Sequence, residues 1–532
     1  MRHVRARTRA AGAAVLAGTL LLAACSGGGS GNGAGGTVAP RTTIPQPTLG
    51  DQASPGEPSV KPVAFTDCTS VVAPQIKDQP GGDRKLSFDC GTVDAPLDYD
   101  NPDAGTVKLY LVRVRMASQH DRIGSLLINP GGPGGSGLDA AVGLALRMPT
   151  DVLSRFDLVG FDPRGVGLSD PVQCISDDLK DQITAADPDA RTPAEFAAQV
   201  RLSQRIATQC SDKYGDKLAQ FNTVETARDM DLIRRALGDQ KMTYLGFSYG
   251  TLLGAVYAQL FPRQVRALVL DGAVDPSQDV VSATEGQARG FQNAFNQFAA
   301  ACRAQAGACP LGSDPRAFVT TLMAKASRSP VPSSQPGEKR RATGGNVQLA
   351  VISALYDQSK WPTLSAALSG ANKGDSKGVL ALDDEYNERD GSGHFTNILD
   401  ANITINCNDM DQRISQAAIR AKLADWRRKY PLFGPSQALS LLTCQVWQQV
   451  RHPVPPVHAA GSAPILVVGT VNDPATPYKS AQALSRELSS GTLLSWDGQG
   501  HTAYPKTKCV TSSVDSYLVN LTIPDKKTCP AH

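Results

Sequence analysis

A serine in the middle of the chain lies in a context that could make it a nucleophile. Residues 246–250 read Gly-Phe-Ser-Tyr-Gly, a G-x-S-x-G pattern centred on Ser248. The mostly apolar residues 242–245 predict a buried strand before it, and apolar residues at helical spacing predict a helix over 251–261. A sharp strand-to-helix turn exposes such a serine at its apex and requires small neighbours. The alternative interpretation is a glycine-rich turn with a helix-capping serine.

Two residues near the C-terminus have the types and the order needed to activate Ser248. A serine hydroxyl needs a base to take its proton, and the base needs an acid to orient it. In enzymes with a G-x-S-x-G turn, the acid and then the histidine follow the serine, each after a late strand. Asp473 follows a predicted strand at 464–469, and His501 follows a shorter one at 492–495. We therefore predict Ser248, Asp473 and His501 as a catalytic triad.

Two other carboxylates compete with Asp473 for the role of the acid. Asp271 ends the strand that follows the predicted serine turn, and Asp497 lies just before His501. Capping of a turn is the simpler explanation for both side chains.

A glycine-rich segment could stabilise the negative charge that forms when a serine attacks a carbonyl. Such an intermediate needs two preorganised N–H donors. We predict the backbone of Tyr249 as one donor and the loop containing Gly131 and Gly132 as the other. A phosphate-binding loop is the alternative, but the segment has neither the Walker lysine nor G-x-G-x-x-G spacing. We interpret Asp162 and Arg164 as supports of the neighbouring sheet end.

The predicted elements around these residues alternate between strand and helix. This alternation predicts an α/β fold with a mostly parallel central sheet and helices on both faces. The body has two parts, 61–275 and 432–532, and a mainly helical lid at 276–431 separates them. Within the lid, the basic run at 339–341 is interpreted as part of a solvated loop.

The N-terminus has the features of an export signal. Several arginines precede an apolar stretch at 10–22, and Leu-Ala-Ala-Cys ends at Cys25. We predict a lipoprotein signal peptide at 1–24, lipidation of Cys25, and a flexible tether at 25–60 that is rich in Gly, Ser and Pro. The expected location is outside the cytoplasm, on the cell membrane. A plain signal peptide is the alternative.

Composition narrows the possible partners and cofactors. The net charge is only +3 over 532 residues, so nucleic acid is not an expected partner. We expect a monomer, no metal and no organic cofactor. Ten cysteines besides Cys25 suit an exported, disulfide-bonded chain. Sequence alone does not determine the pairing. Neighbour pairing is our choice because it closes short loops, and it gives Cys68–Cys90, Cys174–Cys210, Cys302–Cys309, Cys407–Cys444 and Cys509–Cys529.

Seven segments together resemble one family. They are NPGGPGGSG (129–137), FDPRGVGLSD (161–170), GFSYGT (246–251), TINCND (404–409), CQVW (444–447), GTVNDPATP (469–477) and GQGH (498–501). The combination resembles the tripeptidyl aminopeptidase branch of α/β-hydrolases, secreted or lipid-anchored serine peptidases of actinobacteria, over roughly 65–529. It implies the same triad and cleavage of short peptides from a free N-terminus. Related prolyl iminopeptidases usually have His-Gly-Gly-Pro-Gly at the first motif, whereas Asn-Pro precedes the glycines here.

An aminopeptidase must bind the ammonium group of its substrate, which calls for carboxylates in a partly dehydrated pocket. We predict Asp409 and, from the acidic cluster at 383–385, Glu385 for this role. Asp409 is favoured because a Cys407–Cys444 disulfide would hold it where lid and body meet. Capping of a helix by Asp409 and simple solvation of the cluster are the alternatives.

Three functions compete on this sequence. The first is a cell-envelope serine exopeptidase that releases di- or tripeptides through an acyl-enzyme on Ser248. The second is an esterase or lipase, because the same triad serves esters. The third, a non-catalytic binding lipoprotein, is disfavoured by the presence of all three triad members. Acidic residues in the lid favour the first function over the second.

Overall fold

One sheet forms the centre of the chain. The computed structural model describes residues 60–304 and 309–531. In these ranges ten strands join in a single sheet, and β8 and β9 form a separate hairpin. The strands are β1 (Thr66–Asp67), β2 (Leu86–Pro96), β3 (Thr106–Met116), β4 (Gly124–Asn129), β5 (Phe156–Phe161), β6 (Met242–Phe247), β7 (Val265–Asp271), β8 (Val331–Pro332), β9 (Arg341–Ala342), β10 (Ile465–Asn472), β11 (Gly491–Gln499) and β12 (Thr528–Cys529).

The sheet is parallel except at one side. Its strand order is β1-β2-β3-β5-β4-β6-β7-β10-β11-β12. Strands β1, β2 and β3 pair antiparallel with their neighbours, and β5 pairs antiparallel with β3. All other pairs are parallel. The predicted α/β class with a mostly parallel sheet is confirmed.

Helices cover both faces of this sheet and also form a large insertion. They are α1 (Thr69–Ile76), α2 (Gly137–Ala145), α3 (Thr150–Leu153), α4 (Asp177–Thr184), α5 (Pro193–Tyr214), α6 (Thr223–Ala236), α7 (Tyr249–Leu260), α8 (Val280–Ala304), α9 (Pro315–Arg328), α10 (Gly344–Leu355), α11 (Trp361–Asn372), α12 (Lys377–Asn387), α13 (Ile398–Asp409), α14 (Gln416–Lys429), α15 (Gly434–Val446), α16 (Tyr478–Glu487) and α17 (Lys508–Asn520). None of the helices in the described ranges is long and apolar enough to cross a membrane.

Alternate residues of the central strands enter two different cores, because successive side chains of a strand point to opposite faces. Tyr244 and Leu268 join α6, α7 and α16 in one core. Leu245 and Val269 join α2, α3 and α17 in the other. A buried strand therefore reads as continuously apolar, which is why 464–469 and 242–245 were recognisable from sequence.

The helical insertion lies between β7 and β10 and runs from α8 to α15. We count α15 as part of the insertion because it packs against α14 and α8. The insertion therefore extends beyond Pro431, where its end was expected. A second segment, α4 and α5, enters between β5 and β6, and α5 packs against α15. Sequence reasoning did not identify this second segment.

One charged side chain of the insertion corrects the expectation of a solvated loop at 339–341. Lys339 and Arg341 are exposed as expected, but Arg340 is not. Its guanidinium lies 2.6 Å from Asp384 and 2.7 Å from Glu338, and its side chain is only 17% exposed. A partly buried guanidinium needs such carboxylate partners, and only the fold brings Asp384 to it.

The cysteine pairing is confirmed for all five predicted disulfides. The structure joins neighbouring cysteines along the chain in every case. The predictions for the signal peptide, for Cys25 and for nearly all of the tether lie outside the described residues.

Candidate active site

Ser248 occupies a strained turn between β6 and α7. Its φ is 55°, in the left-handed region that non-glycine residues rarely adopt. The two glycines of the G-x-S-x-G pattern are required because a side chain at either position would clash. A Cβ at Gly246 would lie 2.4 Å from the Gly250 carbonyl oxygen, and one at Gly250 would lie 2.8 Å from the Asn129 carbonyl oxygen. The predicted strand–turn–helix around the serine is confirmed.

Asp473 and His501 form a buried pair. His501 Nδ1 lies 2.9 Å from each carboxylate oxygen of Asp473, and the two side chains are 9% and 0% exposed. The Asp473 Oδ1 atom also accepts the backbone N–H groups of Ala475 and Thr476 at 2.9 Å. These bonds hold Asp473 so that it can orient the imidazole, as a triad acid must.

The second ring nitrogen of His501, Nε2, is not engaged by Asp473. Nε2 is buried and has no hydrogen-bond partner in the described part of the chain, so it does not bond Ser248 Oγ here. Bonds of this kind are often long without substrate and tighten on binding. The imidazole ring also meets the Tyr356 ring edge-on, at 5.2 Å between centroids.

Asp271 connects the serine turn to the histidine loop, which sequence reasoning did not foresee. Its backbone oxygen accepts the Ser248 N–H at 2.9 Å. Its carboxylate accepts the N–H groups of Ala503, at 2.9 Å, and Tyr504, at 2.7 Å. Burial raises the pKa of Asp271 to about 6, and the N–H bonds oppose that rise. Asp271 therefore positions the serine turn and the histidine loop, and the carboxylate that pairs with His501 is that of Asp473. The other rival acid, Asp497, is exposed.

The glycine-rich segment at 130–136, hereafter the oxyanion loop, packs directly on the serine turn. A Cβ at Gly131 would lie 2.5 Å from the Phe247 carbonyl oxygen and 3.0 Å from the Tyr249 nitrogen. Both Gly131 and Gly132 have positive φ, at 94° and 109°. The backbones of the predicted donor segments, Tyr249 and the loop, therefore lie side by side.

Polar side chains support the oxyanion loop at both ends. Asn129 Oδ1 accepts the Gly131 N–H at 2.9 Å, so this predicted donor is already engaged and Gly132 remains the predicted donor of the loop. Asp162 accepts the Ser136 hydroxyl at 2.7 Å and the Leu168 N–H at 2.8 Å. Arg164 is buried and donates two 2.7 Å bonds to Asp229. The structure thus confirms the bracing interpretation of the Asp162 and Arg164 motif.

Three helices of the insertion each contact one loop of the site. On α8, a Cβ at Gly290 would lie 2.4 Å from the carbonyl oxygen of Pro474. After α10, the backbone oxygen of Tyr356 accepts the His501 N–H at 2.9 Å. On α13, Asn402 Nδ2 donates to the Pro133 carbonyl oxygen at 3.0 Å. The insertion therefore forms part of the wall of the site.

Neither predicted ammonium-binding carboxylate is left without a partner. Glu385 lies 2.6 Å from Lys360 Nζ, so a substrate ammonium would compete with an internal cation. Asp409 accepts the Thr223 N–H at 2.9 Å and the Thr223 hydroxyl at 2.6 Å, in the first turn of α6. Burial raises the pKa of Asp409 to about 7. The helix-capping alternative is the arrangement that the structure shows for Asp409.

Comparison with known proteins agrees with this geometry. A family model described as alpha/beta hydrolase fold matches residues 124–506. The chain belongs to the α/β-hydrolase fold family. A protein named serine protease Hip1 from Mycobacterium tuberculosis is 40% identical over 503 residues, covering 90% of this chain and 92% of the relative.

Two further relatives of this α/β-hydrolase have different names. Carboxylesterase B of Mycobacterium tuberculosis is 36% identical over 481 residues, covering 88% of this chain and 90% of the relative. Tripeptidyl aminopeptidase of Streptomyces coelicolor is 31% identical over 448 residues, covering 81% and 80%. The predicted enzyme class, a serine hydrolase, and the predicted family resemblance are confirmed.

The acid of the candidate triad can be tested against its rival. We expect Asp473→Asn to lower kcat by about four orders of magnitude, because an amide favours the wrong histidine tautomer. The matched change Asp497→Asn alters an exposed residue and should leave kcat within about twofold. Steady-state kinetics on a p-nitrophenyl ester measures both. Equal losses in the two variants would remove Asp473 from the triad.

Asp271 should make stability depend on pH. A buried carboxyl with a pKa near 6 holds its proton more tightly in the folded than in the unfolded chain, where the pKa is about 3.9. Its contribution is therefore complete below pH 4 and is lost as pH rises through 6, by about 3 kcal/mol. Urea unfolding from pH 4 to 7 should show this fall in the wild type and a shallower one in Asp271→Asn. Parallel curves for the two proteins would contradict the assignment.

Proposed function

We propose that this α/β-hydrolase is a serine exopeptidase that releases di- or tripeptides from free N-termini. The observation that carries the proposal is the buried Asp473–His501 pair, on a loop that Asp271 joins to the turn of Ser248. The relatives named serine protease and tripeptidyl aminopeptidase support a peptide as the substrate.

The proposed reaction uses Ser248 as the nucleophile. His501 Nε2 takes the hydroxyl proton while Oγ bonds to the peptide carbonyl carbon, and Asp473 stabilises the imidazolium. N–H groups of Tyr249 and the oxyanion loop receive the negative oxygen. The proton then passes to the leaving amine as the C–N bond breaks. Water, deprotonated by the same histidine, hydrolyses the acyl-enzyme and restores Ser248.

An esterase acting on envelope or exogenous esters is the second candidate. The relative named carboxylesterase B favours it, and the same three residues would serve an ester. The partly buried acidic groups of the insertion weigh against an apolar ester. Glu385 and Asp409, the residues predicted to bind the substrate ammonium, are already paired with Lys360 and Thr223, so an ammonium would have to compete with those bonds.

A panel of substrates distinguishes the two candidates. Purified protein is offered fluorogenic di- and tripeptides with free or acetylated amines, beside short-chain p-nitrophenyl esters. We expect free-amine peptides to be cleaved at least about tenfold faster than acetylated ones, because an ammonium forms charge-assisted bonds that an amide cannot.

Ser248→Ala is the control for this panel and should abolish turnover of every substrate. Equal rates on free and acetylated peptides would refute the exopeptidase proposal. Turnover of esters alone would favour the esterase.

We also propose that the enzyme is held outside the cytoplasm by a lipid on Cys25. Five disulfides in the described chain support an oxidising location. Replacing Cys25 with Ser should remove the lipid and shift the protein from the membrane to the soluble fraction. Fractionation with metabolic fatty-acid labelling measures this, and an unchanged membrane fraction would contradict the anchor.

A further inference from the structure

The oxyanion loop needs support from outside itself. Glycine allows many backbone conformations, and this loop contains four glycines in seven residues. Internally it has one backbone hydrogen bond, from Gly135 N–H to the Gly131 oxygen at 3.1 Å. Oxyanion donors act only when they lie within about 2.7–3.1 Å of the developing charge. Neighbouring elements must therefore hold the loop in place.

The N-terminal half of α13 lies against this loop. Asn402 Nδ2 donates to the Pro133 carbonyl oxygen, and a Cβ at Gly134 would lie 2.6 Å from the Ile398 carbonyl oxygen. Asn406 Nδ2 donates to Asn402 Oδ1 at 3.1 Å, which turns the NH₂ group of Asn402 toward the loop. The contact is therefore both close and oriented.

The C-terminal end of α13 reaches the other donor. Asp409 accepts the single hydroxyl proton of Thr223, so the Thr223 oxygen is free to accept a bond from the Tyr249 hydroxyl, 2.5 Å away. The chain Tyr249–Thr223–Asp409 is continuous, and its first two side chains are buried. It holds the side chain of the residue whose backbone N–H is the predicted first donor.

Polar contacts anchor α13 itself. Asn408 Nδ2 donates to the carbonyl oxygens of Leu218 and Phe221, and its Oδ1 accepts the Trp447 indole N–H at 2.9 Å. Asp400 accepts two backbone N–H groups, of Cys174 and Ile175. The Cys407–Cys444 disulfide joins the helix to α15. A helix held in this way can act as a fixed spacer.

We propose that α13 sets the separation between the two donor segments of the oxyanion hole, with Asn402 and Asp409 as positioning residues. They lie seven positions apart, which is about 10 Å along a helix. Asn402 holds the loop, and Asp409 acts on Tyr249 through Thr223. The inference rests on the proposed role of Ser248, because it assumes attack by this serine. It does not depend on whether the natural substrate is a peptide or an ester.

The test measures a reaction in which negative charge develops on an oxygen atom in the oxyanion hole. A fluorophosphonate probe labels Ser248, and its second-order rate constant is compared between wild type, Asn402→Ala and Tyr249→Phe. Thr223→Val removes the linking hydroxyl at constant shape. We expect each variant to label at least about tenfold more slowly, since loss of one oxyanion donor costs about 10²–10³ in rate. Ester hydrolysis should show a lower kcat at an unchanged KM.

Matched controls separate positioning from a general loss of fold. Thr223→Ser keeps the hydroxyl and should restore the wild-type rate. Asn372→Ala makes the same chemical change as Asn402→Ala at an exposed residue, at the end of α11, and should stay within about threefold of the wild-type rate. The thermal unfolding of each variant is also measured. If Asn402→Ala is unstable, the rate of the conservative variant Tyr249→Phe decides whether α13 positions the donors.

The outcomes are distinct. Labelling within twofold of wild type in Tyr249→Phe and Thr223→Val, or a higher KM with unchanged kcat, overturns the proposal. Failure of the exopeptidase proposal would be recognised separately, because the wild type would still react with the probe and with esters while leaving peptides intact.

Discussion

The site depends on the hydrogen bonds that one buried residue, Asp271, makes through its carboxylate and its backbone oxygen. Parallel strands end at one edge of a sheet, so the loops after β6, β7, β10 and β11 meet there. Asp271 ends β7 and bonds to the serine turn on one side and to the histidine loop on the other. The neighbouring Gly272 N–H also bonds the Val468 oxygen of β10. Asp271 thus joins two of the three loops that form the candidate triad, and its neighbour Gly272 ties this end of β7 to β10.

Close backbone contact is the second requirement. A glycine lies at each of three close contacts: Gly131 where the oxyanion loop meets the serine turn, Gly290 where α8 meets Pro474, and Gly134 where the loop meets α13. A Cβ at any of these glycines would clash with backbone atoms. Protein interiors are packed too densely to absorb such overlaps cheaply. The inserted helices are therefore part of the site and not only a cover, because they approach the loops at backbone distance.

Much of the fold was predictable because its signals are local. Apolar runs identified the central strands, helical spacing identified α7, and chain order singled out Ser248, Asp473 and His501 as candidates that the fold then brought to one edge. Neighbour pairing of cysteines was correct in all five cases. Other features were not local. No pattern around Asp409 predicts its hydrogen bonds with Thr223, which lies 186 residues earlier. No pattern around Arg340 predicts its ion pair with Asp384.

The sequence by itself determined the element types, the candidate nucleophile, base and acid, and the family, because each depends on short patterns or on their order. Only the tertiary structure decided which carboxylate pairs with His501 and which supports its loop. Only the structure assigned Asp409 to a capping role and Asn402 to the oxyanion loop. The physical reason is that hydrogen bonds and burial depend on distances between residues far apart in sequence, and no local pattern encodes those distances.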